Sequence, residues 1–185
     1  VRSTAAMLSK DQQREAVEQI IHHAMPTAEL VSYDISSALA LFTPMEIDID
    51  LGVPDAAPKT GDFRLARTLV TSGALGLVED VLPQVLGALP NRKFGLDAHV
   101  TFEYDQDETI TLPPTLKVVA LPNAATTDNA VAQVTSSCTQ KDPTTISCHR
   151  AFALKSRFID PVQYTRLRGA LASLGQVARQ PVILA

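Results

Sequence analysis

A mainly β, α+β fold is predicted for this chain: an antiparallel β-sandwich with an N-terminal helix and a C-terminal helix packed on it. Three features predict it. Apolar residues recur with period two over most of the chain, helix start signals stand out only near the two ends, and prolines cluster where strands would begin or stop. The 185 residues, 45% of them hydrophobic, suffice to bury a sizeable core.

Ser9-Lys10-Asp11-Gln12 has the form of a capping box, a helix N-terminus whose side chains satisfy the first free N–H groups. Val17, Ile20, Ile21 and Ala24 follow at helical spacing until Pro26 stops the run. The period then changes to two. Residues 30–35 make one candidate strand, and Met45, Ile47, Ile49 and Leu51, alternating with Glu46, Asp48 and Asp50, make a cleaner one. Phe63 to Ala66 continues the alternation toward Leu69. Gly73 to Leu89 reads as a short helical excursion interrupted at Pro83.

Beyond Pro90 the strands return, in Ala98–Tyr104, Glu108–Leu112 and Lys117–Leu121. The pair Val131–Thr139 and Thr145–Lys155 reads as a hairpin. Asp160-Pro161 opens a second helix, with an N-cap acceptor before a proline at the first helical position. Tyr164, Leu167, Leu171 and Leu174 give that helix an apolar stripe before Pro181 and a closing Val182-Ile183-Leu184. The composition shift near residue 90 divides the chain into 1–90 and 91–185, read as parts of one continuous domain.

Cys138 and Cys148 have nine residues between them, and Pro143 of the turn signal is equidistant from both. A symmetric antiparallel hairpin sets them face to face, at a Cα separation a disulfide can bridge. That pairing implies an oxidising compartment; two free, half-buried thiols in a cytosolic protein are the alternative. The first residues, Val1-Arg2-Ser3, lack the basic-apolar-small order of a signal peptide, so any leader is expected to have been removed or to belong to a longer parent chain.

Composition narrows the function classes. The net charge of −4 lacks the basic footprint of a nucleic-acid binder, and no apolar run reaches the roughly 18 residues of a membrane span. With 5% aromatics and no Trp, a sugar-stacking platform has few residues to draw on. The charge is divided: residues 150–185 carry a net +5 and the preceding residues −9. Arg157, Arg166, Arg168 and Arg179 therefore mark either a contact surface for a neighbouring domain or a set of cations satisfied within the fold.

No catalytic, cofactor or metal constellation is expected. Cys148 and His149 are neighbours on a strand, so their side chains point to opposite faces and cannot form a nucleophile pair. Cys138, Cys148, His149 and His99 lack the spacing of a zinc site. Glu18 and His22 stand one helical turn apart but, with His23, read as a solvated face. Glu46, Asp48 and Asp50 share one strand face, a row suited to calcium or to a glycosidase carboxylate pair, yet a solvated outer face opposite the apolar Met45, Ile47, Ile49 and Leu51 explains them fully. Gly73-Ala74-Leu75-Gly76 is too short for a phosphate loop.

Three stretches carry a family likeness. Asp107 to Pro113 followed by Leu116 to Pro122 resembles the strand, Leu-Pro, strand, Leu-Pro signature of the C-terminal domain in bacterial transglutaminase-like proteins that begin with a DUF3857 domain. Phe158-Ile159-Asp160-Pro161, Tyr164, Leu167-Arg168 and Gln180 to Leu184 are similar to that family's terminal helix and final strand. Ala28-Glu29-Leu30 and Leu89 to Phe94 sit where it places comparable elements, although Phe94-Gly95 replaces an aromatic-proline pair and the cysteines are no part of its pattern. The resemblance implies a β-sandwich accessory domain behind a papain-like core that holds the Cys, His and Asp triad, in an exported, periplasmic or secreted protein. The expected partners are then upstream domains or another protein, with neither nucleic acid nor membrane insertion. The alternative is a free-standing periplasmic or secreted module that binds a peptide or glycan.

Overall fold

A computed structural model of the chain describes residues 8–36, 43–66, 86–177 and 179–185. They fall in two compact units, Val1–Ala56 and Ala57–Ala185, and the composition shift near residue 90 lies inside the second.

The first unit pairs helix α1 (Lys10–Ala24) with an antiparallel hairpin, β1 (Glu29–Ile35) and β2 (Ile47–Gly52). The predicted capping box is present: the Gln12 N–H donates to Ser9 Oγ, and the Ser9 N–H donates to Gln12 Oε1. Val17 and Ile21 bury one helix face against Leu30, Tyr33, Ile35, Ile49 and Leu51. Strict alternation would put Leu30 opposite in sense to Tyr33 and Ile35. A bulge at Val31 changes the phase, so all three face the helix and Val31 is left in solvent. Ile47, expected in the core, is also exposed, because it lies at the open end of the strand. The N-terminal helix thus packs on the hairpin of its own unit.

The second unit is the sandwich. One sheet has the order β6 (Phe102–Thr111), β10 (Thr145–Leu154), β9 (Ala132–Asp142), β8 (Ala125–Asp128); the other has the order β3 (Lys59–Thr60), β4 (Phe63–Ala66), β12 (Val182–Leu184), β7 (Val118–Ala120). A small pair, β5 (Leu96–Asp97) with β11 (Phe158–Ile159), precedes helix α2 (Pro161–Val177). The two alternations expected at Ala98–Tyr104 and Glu108–Leu112 are one strand, β6. It begins only at Phe102, because His99 takes a left-handed backbone (φ 65°) and breaks the extended chain before it. Of the excursion expected over Gly73–Leu89 only the last residues are described, as turn and bend; Leu69 and Gly73 to Gly76 lie outside the described residues.

The inner face of the larger sheet has two covers. Toward one end, Phe152, Leu154, Val134 and Ala132 pack under α2, whose Tyr164, Leu167, Ala170, Leu171 and Leu174 supply the predicted stripe. Toward the other, Ile146 and Cys148 pack against Ala66, Val182 and Leu184 of the smaller sheet. Each fully buried Leu, Ile, Val or Phe among them contributes about 2 kcal/mol. Between the two patches Arg150 is 2% exposed, and its Nη2 donates to Leu174 O, 3.1 Å away in the last turn of α2. That carbonyl lies at the negative end of the helix, where a cation is favoured. Burial pulls the Arg150 pKa down to about 10, so it stays cationic at neutral pH.

Asp160 caps α2 as its sequence indicates: Oδ1 accepts from the Val162 and Gln163 N–H groups, and Gln163 Oε1 accepts from the Asp160 N–H. Cys138 and Cys148 form a disulfide across β9 and β10, with Cα atoms 4.1 Å apart.

Candidate functional site

Side chains alternate between faces along a strand, so placing Ile146, Cys148, Arg150 and Phe152 inward directs Ser147, His149, Ala151 and Ala153 outward. The same alternation on β6 directs Glu103, Asp105 and Asp107 outward. In the antiparallel register His149 stands opposite Asp107 on one side and Ser137 on the other. Its Nδ1 lies 3.0 Å from Asp107 Oδ1 and 3.5 Å from Asp105 Oδ1. Cys148, beside it in sequence, is on the opposite face and locked in the disulfide, so the two cannot act as a thiolate and a base. The cluster is open to solvent, which suits ion or partner binding better than chemistry that needs excluded water.

The remaining histidines and the acidic row are placed apart from it. His22 Nε2 is 3.0 Å from Ala28 O, while Glu18 pairs with Arg14. His23 is exposed. Asp48 and Asp50 face solvent opposite Asp34 and Ser32; Glu46, also exposed, donates its backbone N–H to Ser36 Oγ. His99 is exposed at its left-handed position, and its N–H donates to Asp97 Oδ1.

Two of the four arginines expected on the terminal surface are engaged within their own unit. Arg157 grips Asp97 with two parallel bonds, Nε to Oδ1 at 2.9 Å and Nη2 to Oδ2 at 3.0 Å, and its guanidinium lies 4.8 Å from the Phe158 ring centre. This bond is the main cause that holds the Asp97 pKa down at about 2. Arg168 Nη1 donates to Pro90 O at 2.6 Å. Tyr164 Oη donates to Leu89 O, and Arg92 stacks over the Tyr164 ring at 5.1 Å, so the chain after Leu89 is strapped along α2. Arg166 and Arg179 are exposed.

That segment, β11 and the first turn of α2 also carry exposed apolar side chains. Phe94 is 83% exposed, Phe158 66% and Val162 70%, all beside the β5-β11 pair and the start of α2. Sequence pattern missed this group, because periodicity marks which residues are apolar and not which of them stay uncovered. It missed Asp105 and Asp107 with His149 as well, since only the strand register brings positions so far apart in sequence together.

A family described as a domain of unknown function with a solved structure, DUF3858, matches residues 77–184. The chain belongs to the DUF3858 family. The DUF3858 match covers the larger sheet, α2 and β12, and so includes both the His149 cluster and the apolar end. Among solved structures, the crystal structure of a candidate protease from Parabacteroides distasonis is similar, with 15% identity and a TM-score of 0.47. The likeness covers 56% of the DUF3858 chain and 21% of that protein, so this chain spans about a fifth of its length. No curated protein matches. Among the described residues no helix is long and apolar enough to cross a membrane.

Proposed function

We propose that the chain is a non-catalytic accessory module of an exported transglutaminase-like protein, working through contact with a neighbouring domain or a second protein. The observation that carries the reading is the apolar trio Phe94, Phe158 and Val162. Large apolar side chains grouped in solvent beside polar residues mark contact surfaces. The Leu-Pro and terminal-helix motifs supply the transglutaminase-like context, and the Cys138–Cys148 bond supports export into an oxidising compartment.

The test is association of the chain with the upstream domains of its parent protein, measured by calorimetry. Changing Phe94, Phe158 and Val162 together to Ser is expected to weaken association about 100-fold, in line with the loss of central apolar anchors, with the thermal midpoint little changed. Equal affinity in the triple variant overturns the contact surface. Hydrolytic or crosslinking activity of the chain alone, abolished by Cys148→Ala, overturns the non-catalytic reading. Tight binding of extended peptides or peptidoglycan fragments, indifferent to the upstream domains, favours a free-standing binding module instead.

A further inference from the structure

Asp105, Asp107 and His149 each offer one ligand atom, and the three atoms lie within 4.8 Å of one another. The imidazole separates this group from an ordinary acidic surface, since a ring nitrogen beside carboxylates is a donor set for divalent first-row ions. Ligand atoms bound tetrahedrally at about 2.0 to 2.2 Å from such an ion stand about 3.3 to 3.6 Å from one another. The separations from Nδ1, 3.0 and 3.5 Å, bracket the lower end of that range, so the imidazole already stands from each carboxylate at nearly the spacing such an ion needs.

The surroundings point the same way independently. The side chains nearest His149 on its face are small: Ser147 and Ala151 two positions away on β10, and Ser137 opposite on β9. Among the described residues these register neighbours are short, and the His149 side chain keeps 38% of its surface in solvent. The outward positions of β9 from Gln133 to Thr139 and of β10 from Ser147 to Ala153 include no lysine or arginine, while β6 contributes Glu103, Asp105 and Asp107. The acidic side chains at this edge therefore have no lysine or arginine at those outward positions to balance them.

We propose that Asp105, Asp107 and His149 form an open surface site for a divalent first-row transition ion such as Zn2+. Three protein ligands leave at least one coordination position for water or for a donor atom from a second molecule. The backbone that carries them is stiff, because β10 is paired on both sides and tied to β9 by the disulfide at the adjacent residue.

Calorimetric titration of the intact chain with Zn2+ at neutral pH, with the His149 ring followed by NMR, tests the site. One ion per chain is expected, with the His149 ring signals shifted on binding. His149→Gln should abolish binding, and Asp105→Asn and Asp107→Asn should each weaken it about tenfold or more. His22→Gln and His23→Gln in one chain should leave it unchanged, and Mg2+ should not compete. The site is overturned by absence of saturable binding at millimolar Zn2+, by binding that survives His149→Gln, or by affinity indifferent to both aspartates. Circular dichroism of each variant, all altered at surface positions, verifies that the fold is retained.

Discussion

Cys148 stands directly opposite Cys138, although Thr145, three residues nearer the turn, stands opposite Asp142. An unbroken register from that closing pair would set Cys148 against Thr139. Lys141 is the extra residue: β9 bulges there, Ile146 pairs with Gln140, and the cysteines come into line. The symmetric spacing about Pro143 is thus met by a tight turn plus a bulge. Deleting Lys141 should therefore remove the bulge and leave Cys138 facing Cys148. Mass spectrometry after alkylation under denaturing, non-reducing conditions should find no free thiol in the deletion variant; two alkylated cysteines would refute the bulge assignment.

Opening the disulfide frees a short loop in the unfolded chain. Replacing Cys138 and Cys148 together by Ala should lower stability by about 3 kcal/mol, the loop-entropy value for a closure of this length. Urea unfolding of the variant and the parent chain checks it. The parent chain with reductant should behave like the variant.

Arg150 joins the sheet to the end of α2 through Leu174 O. Arg150→Ala should cost about 3 kcal/mol, because it opens a cavity in a fully covered position and leaves a helix-end carbonyl without this donor. Arg150→Met, which keeps most of the volume and buries no charge, should cost less. Denaturant midpoints of the two variants give the comparison.

Asp97 ionises early because Arg157 holds its carboxylate. Its pKa is lowered from 3.8 to about 2, so the contribution of the pair is complete above pH 3.8 and is lost as the pH falls through about 2. A carboxyl-carbon NMR titration should find the Asp97 midpoint near 2, moving up toward the ordinary carboxylate range in Arg157→Gln. A midpoint unmoved by that substitution would assign the shift to the His99 N–H instead.

Local signals carried the legible part of the structure. Ser9 and Asp160 announce their helices because capping is a short-range exchange of hydrogen bonds, and the stripe from Tyr164 to Leu174 follows from helical periodicity. The disulfide was legible because the spacing of Cys138 and Cys148 encodes a register. Two-residue partners such as Leu96–Asp97 and Phe158–Ile159 have no period to detect, and β8, Ala125–Asp128, shows two threonines in a row with little apolar contrast. The bulge at Val31 hid the inner face of β1, since alternation alone sends Leu30 and Tyr33 to opposite sides. Asp105, Asp107 and His149 meet through pairing of strands distant in the chain, which local sequence does not encode, whereas strand alternation alone separates Cys148 from His149.

Strand β10 has a consequence for how the second unit comes apart. Phe152 and Leu154 anchor the helix-covered core, Ile146 and Cys148 anchor the sheet-covered one, and both pairs belong to the same uninterrupted strand. Neither core can loosen fully while the other holds that strand in place. The sandwich should therefore open in one step, and the backbone amides of residues 146–152 should exchange with solvent only through complete unfolding, as the last protected in the unit.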